Sequence, residues 1–119
     1  MSTTQTLAAQ RCQHQEQALA EAEMPALLAA TPGWQVEGGK LCKTFAFENY
    51  YQTLAFVNAI AWVIHADDHH PELVVTYNRC VVRFDTHSVN GGKGGLSIND
   101  FICAAKLELI AAQGSAHAG

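Results

Sequence analysis

The stretch from His65 to His87, HADDHHPELVVTYNRCVVRFDTH, decides how this chain folds. In its latter half Cys80, Val82 and Phe84 alternate with Val81, Arg83, Asp85 and His87, the period-two pattern of a half-buried strand. Glu72 to Tyr77 reads as a preceding strand and Asn78-Arg79 as the tight turn between them, giving a hairpin. Pro71 disfavours helical geometry at His70, so the doublet His69-His70 lies on extended chain just before the hairpin. Antiparallel pairing across Asn78-Arg79 sets residue 87 against residue 70, and parity puts His87 on the polar face at the strand's end. The three histidines are therefore expected to meet at one corner. An imidazole exchanges protons near neutral pH, so such a trio reads as an acid/base site, with Asp67 or Asp68 near enough to orient one ring and raise its pKa.

Working upstream, Asn49 caps a helix predicted from Tyr50 to about Ala66, in which Leu54, Val57, Ala61 and Ile64 recur at helical spacing. Phe56, Ile60, Trp62 and Val63 carry apolar surface well round that helix. A domain this small has little surface of its own to cover it, which favours self-association over a central helix in a monomer. Before it, Trp34 to Val36 and Lys40 to Phe47 form a hairpin about Gly38-Gly39, and Glu21 to Ala30 forms a short helix that tolerates Pro25 in its first turn. Leu41, Phe45 and Phe47 share the larger face of the second strand, and Cys42, Thr44 and Ala46 the smaller. Downstream, Ser97 and Asp100 form a capping-box variant that opens a last helix with a stripe of Ile98, Phe101 or Ile102, Ala105, Leu109 and Ala112.

Helix, hairpin, helix, hairpin, helix is the resulting order. It predicts a two-layer α+β domain over residues 21–112, a four-stranded antiparallel sheet with three helices on one face (α-β-β-α-β-β-α). Residues 1–20 lack an apolar stripe and read as a poorly ordered or loosely docked extension, and residues 113–119 as a disordered tail. The 119 residues, 49% hydrophobic, suit one domain with its own core. A net charge of −4 with seven scattered Lys and Arg argues against a nucleic-acid ligand. No stretch is built to export, anchor or span, so a cytoplasmic protein off the membrane is expected. Cys12, Cys42, Cys80 and Cys103 include no C-x-x-C pair and read as reduced core thiols. Cys12 with His14 resembles half a metal site, but no second pair stands at ligand spacing, and a surface segment is the plainer reading. Three imidazoles could also bind zinc, although adjacent ligands are awkward and no HxH or HxxxH spacing is present.

HADDHHPEL, TYN, DTH and GGLSINDF, in that order and with PGW upstream, resemble the pterin-4a-carbinolamine dehydratase family over about residues 21 to 112. The resemblance implies an α+β fold that assembles into dimers or tetramers. It also implies removal of water from a 4a-hydroxytetrahydropterin to give the quinonoid dihydropterin in tetrahydrobiopterin recycling, after aromatic amino acid hydroxylation. That hydro-lyase reaction needs a proton on the departing oxygen and loss of the N5 proton, and neither a metal nor an organic cofactor. By resemblance His69, His70 and His87 line the pterin site. His70 assists hydroxide departure, and His69 and His87 position the ring and handle the other proton. Asp68 is the orienting carboxylate, and Thr86 and Ser88 bond to the pterin's polar edge. Asp100 matches an acid of the family, with helix capping an equal explanation. His65, Leu73 and the long NGGKGG loop depart from the family pattern without removing a histidine of the set. Family members also serve without catalysis, as dimerisation cofactors of transcription factors or as assembly chaperones, which is the alternative function.

Overall fold

A computed structural model describes residues 2–118, with side chains for residues 2–113. Four helices and four strands follow in the order α1 (Thr3–Ala8), α2 (Met24–Ala30), β1 (Gln35–Glu37), β2 (Lys40–Ala46), α3 (Tyr50–Asp67), β3 (Glu72–Val75), β4 (Arg79–Phe84) and α4 (Ile98–Ala118). The strands form one antiparallel sheet in the order β1-β2-β4-β3, and the predicted α+β class holds. Gly38 and Gly39 both adopt positive φ, 57° and 77°, as a two-residue turn that follows strand twist requires.

Alternation sets the layers. Leu41, Phe45, Cys80, Val82 and Phe84 are buried on the face that meets the helices. Across the strands, Leu41 pairs with Phe84 and Phe45 with Cys80, and Leu73 of β3 pairs with Val82. Phe45 and Phe56 bring their ring centroids to 4.6 Å and join the sheet to α3. Lys43 points the same way as its apolar neighbours, with its ammonium on Glu108 of α4 and 4.8 Å from the centre of the Phe45 ring.

The α3 boundaries follow the caps. The Asn49 side chain accepts from the Gln52 N–H at 2.9 Å, and Asp68 closes the helix in the left-handed region at φ 50°. The buried stripe is rotated from the one expected. Thr53, Phe56 and Ile60 are fully buried with Val57, Val63 and Ile64 beside them, while Leu54 and Ala61 face outward. Apolar residues lie all round this helix, so spacing alone does not choose the inner face. The sheet chooses it through Phe45 and Phe47.

The central helix is α4. From Asn99 to Ala105 every residue is buried, because α4 lies between α3 and the N-terminal segment. That segment has more order than its composition implies. Ser2 and Gln5 form a capping box, Leu7 is buried, and the Thr4 hydroxyl donates to the Ala30 carbonyl at 2.7 Å. α4 also continues past residue 112, the expected end of the domain, through most of the expected tail of residues 113–119 to Ala118, and Gly119 lies outside the described residues.

One hairpin differs in register. Thr76 donates its N–H to the Arg79 carbonyl at 2.9 Å, which centres the turn on Tyr77-Asn78 instead of Asn78-Arg79, and Glu72 pairs with Arg83. Partners therefore move by two residues, which preserves every facing. Continued outward, this register sets His70 against Asp85 and His69 against Thr86.

The rotated stripe is testable by urea denaturation. Ile60→Ala should cost roughly 2–5 kcal/mol, as expected for a fully buried side chain. Leu54→Ala should cost at most about 1 kcal/mol.

Candidate active site around His69 and Asp100

Asp100 lies in the first turn of α4 with no solvent exposure. Its Oδ2 accepts from the Ser97 N–H at 2.9 Å and from the Thr86 hydroxyl at 3.0 Å. Its Oδ1 meets His69 Nε2 at 2.6 Å. Ser97 completes the cap by accepting from the Asn99 N–H at 3.2 Å, so the predicted capping box is present. Capping engages one carboxylate oxygen and leaves the other for the imidazole. That division is why a capping explanation of Asp100 missed its second role.

The His69 ring stacks on Phe84 at 5.7 Å, nearly parallel, and is mostly covered. Burial of the ring opposes its protonation, but the hydrogen bond that the ring donates to Asp100, and the charge of that carboxylate, outweigh burial and hold His69 above its ordinary pKa. With Nε2 on Asp100, Nδ1 is the nitrogen left to meet a ligand.

The other expected site residues are placed differently. His70 is exposed, its Nε2 3.4 Å from the still more exposed Asp68, so Asp68 neighbours His70 while Asp100 orients His69. His87 is exposed just beyond the end of β4. Among the described residues no hydrogen bond joins the three imidazoles to one another. Thr86 and Ser88 spend their hydroxyls within the protein. Thr86 is buried between Ser97 and Asp100, and Ser88 donates to the Gln15 carbonyl. A hollow of about 350 Å³ lies on the sheet among Gln35, Cys42, Thr44, Val81 and Arg83, and none of the three histidines lines it.

A second polar group adjoins His69. Asp67, at the end of α3, accepts from Lys106 Nζ at 2.5 Å and from the Cys12 N–H at 3.2 Å. Burial works against ionisation of Asp67, but Lys106 and the Cys12 N–H overcome it and hold the carboxyl below its usual range. Cys12, Asp67 and Cys103 bring potential metal-ligand atoms within 4.8 Å of one another. Both carboxylate oxygens there already hold donors, one of them an ammonium, so a cation would have to displace Lys106. Cys12 is thus no isolated surface thiol, and His14, its suspected companion, lies exposed 3.7 Å from Glu16.

Comparison with known proteins supplies the context for this geometry. Residues 17–110 match the family model of pterin 4 alpha carbinolamine dehydratase. A Bdellovibrio bacteriovorus protein whose name assigns it to pterin-4-alpha-carbinolamine dehydratase is 58% identical over 96 residues, 81% of this chain and 80% of the relative. A Nitrosospira multiformis protein of the same name is 46% identical over 112 residues, 92% of this chain and 96% of the relative. The crystal structure of transcriptional coactivator/pterin dehydratase from Brucella melitensis superposes with a TM-score of 0.71 at 34% identity, covering 79% of this chain and 98% of that one. With a family match that takes in the sheet, all three of its principal helices and the His69–Asp100 pair, the chain belongs to the pterin 4 alpha carbinolamine dehydratase family.

Proposed function

We propose that this chain dehydrates a 4a-hydroxytetrahydropterin to the quinonoid dihydropterin, as one step of tetrahydrobiopterin recycling in the cytoplasm. Family membership supports the reaction class. The observation that carries the acid/base reading is the mostly covered imidazole of His69, held by a fully buried carboxylate and biased toward its charged form.

The reaction expels the 4a-hydroxyl as water and removes the proton from N5. Sequence reasoning assigns hydroxyl departure to His70. The electrostatics favour His69 instead, because an imidazolium stabilised by Asp100 presents an acidic Nδ1–H to the leaving oxygen. His70 and His87, both exposed, then position the pterin and accept the N5 proton. Thr86 acts through Asp100, as a positioning residue. Asp68 orients His70, and Ser88 shapes the rim through its bond to Gln15. No step requires a metal or an organic cofactor.

Self-association is part of the proposal. Tyr51, Leu54 and Trp62 lie along the outward side of α3, 82%, 36% and 75% exposed, an apolar strip of the kind that subunits cover. A homodimer or homotetramer built on it would hide those rings. A second reading, a non-catalytic dimerisation cofactor or assembly chaperone, draws on the Brucella protein's description as a coactivator and on the same exposed strip.

Dehydration followed by ultraviolet absorbance, with a 4a-hydroxytetrahydropterin generated in the cuvette, separates the two readings. A folded protein that gives no acceleration would leave the binding reading standing. Asp100→Asn and His69→Ala should each reduce kcat by about 10²-fold or more. In Asp100→Asn the limb of the pH profile that reports loss of the His69 proton should also move to lower pH.

Stability should follow the same sign. The folded pKa of His69 is raised above the ordinary imidazole value of about 6.5, so its contribution is fully present below that pH and is lost as pH rises through the folded value. Urea midpoints measured across that window should fall for the wild type, and His69→Gln should flatten the slope.

For assembly, light scattering should give a mass of two or four chains, and Trp62→Arg should shift it toward the single chain.

A further inference from the structure

The acid/base site leaves one pair of reactive groups unused. Cys12 and Cys103 lie 91 residues apart in sequence, yet their sulfurs stand 3.4 Å apart. Cys103 is fixed on α4 with 1% exposure. Cys12 is partly exposed, on the irregular chain between α1 and the turn at Glu21–Glu23. We propose that Cys12 and Cys103 are a redox-responsive pair that closes to an intramolecular disulfide, with a peroxide or a small-molecule disulfide as oxidant, fastening the N-terminal segment to α4 beside His69.

The geometry is favourable. A disulfide draws its sulfurs to about 2.0 Å, so roughly 1.4 Å of closure is needed. The segment that carries Cys12 can supply it, because no regular element constrains residues 10–20. The same segment is already registered on its target. The Cys12 N–H donates to Asp67, the Gln13 N–H donates to Asn99 Oδ1 at 3.1 Å, and Asn99 Nδ2 donates back to the Gln13 carbonyl at 2.6 Å.

The two sulfurs have different parts. Cys12 is held below the usual thiol range, first by its hydrogen bond with Cys103 and further by Lys106 and His69, against burial and Asp67. Cys103 is pushed far up by that same hydrogen bond and by burial. Cys12, partly exposed and with its pKa lowered, is therefore the sulfur that an oxidant meets first, attacking as its thiolate, and Cys103, buried on α4, is the resolving thiol. With a peroxide, the Cys12 thiolate attacks one oxygen, the O–O bond breaks, and the departing hydroxide takes a proton to leave as water. Cys12 is then a sulfenic acid. Cys103 Sγ attacks Cys12 Sγ and expels hydroxide, which takes the Cys103 proton and leaves as a second water. Two thiols give up two electrons and the peroxide accepts them.

A metal is the competing use of these sulfurs, and Lys106 on the shared Asp67 carboxylate stands against it.

The test uses the reduced full-length chain, incubated with hydrogen peroxide or with oxidised glutathione and alkylated under denaturing conditions. The expected result is that two of the four cysteines resist alkylation, that intact mass falls by two hydrogens, and that a digest contains a peptide joining Cys12 to Cys103. The oxidised chain should melt at a higher temperature than the reduced one. Cys12→Ser, a change on irregular chain, should leave its three remaining thiols alkylatable and show no oxidant-dependent shift in melting. Four alkylated cysteines after oxidant would overturn the proposal. So would glutathione or a sulfinic acid trapped on Cys12 with Cys103 still free.

Discussion

Three donors converge on the Asp100 carboxylate, which water does not reach: the Ser97 N–H, the Thr86 hydroxyl and the His69 imidazole. They come from three different places, the start of α4, the chain just after β4 and the chain just after α3. A buried carboxylate that lost any of them would keep its desolvation cost without the compensating bond, and breaking such a pair from one side costs about 3–5 kcal/mol. The end of the hairpin, the end of α3 and the beginning of α4 are therefore fixed relative to one another by a single side chain. The imidazole held at this junction inherits its position and its raised pKa from the same contact.

The fold gives this junction its dryness. Phe101, Ile102, Cys103, Ala104 and Ala105 follow Asp100 without one exposed residue between them. A helix covered on every side is usual in the middle of a large protein and uncommon in 119 residues. Here the cover comes from α3 on one side and from α1 with the irregular segment that follows it on another. That segment is clipped down by Asn99, by Ser88 and by the Leu19 N–H on the Leu96 carbonyl at 2.9 Å. Protection of Asp100 from water thus depends partly on residues whose composition, rich in Gln, Ala and Thr, carries no pattern of burial.

Alternation and capping were legible in the sequence because each is decided within a few residues. Hence the first hairpin with its Gly38-Gly39 turn, the Asn49 cap and the Ser97–Asp100 box stand where they were expected. The inner face of α3 was not legible, since Leu54, Phe56, Ile60, Ala61 and Trp62 offer apolar surface in several directions and only the sheet selects among them. The turn after β3 was displaced because Asn78 and Arg79 look like turn residues, whereas Arg79 opens β4 as the partner of Ala46 on β2. The displacement is even, so His69 kept its facing, and it moved to the level of Thr86, the residue with which it shares Asp100. Of the site, the histidines could be singled out from their crowding. Their unequal surroundings could not, because what separates His69 from His70 and His87 is a carboxylate 31 residues away in sequence.

What sets the rotation and height of α4 is a further question, since Ala104, Ala105 and Leu107 would pack against the same neighbours almost as well after a small slip. Apolar contact is non-directional. Three ionisable residues on α4 are directional. Asp100 meets His69, Lys106 meets Asp67 at the end of α3, and Glu108 receives both Lys43 of β2 and the Trp34 indole N–H at 2.9 Å. They tie the helix to two parts of the molecule, the end of α3 through Asp67 and His69 and the first hairpin through Lys43 and Trp34. Moving α4 by one residue turns it about 100° and slides it about 1.5 Å, which would break all three at once and strand partly buried charges on both sides of each break. These pairs therefore act less as sources of net stability than as a register, holding the imidazole of His69 at one place against the sheet.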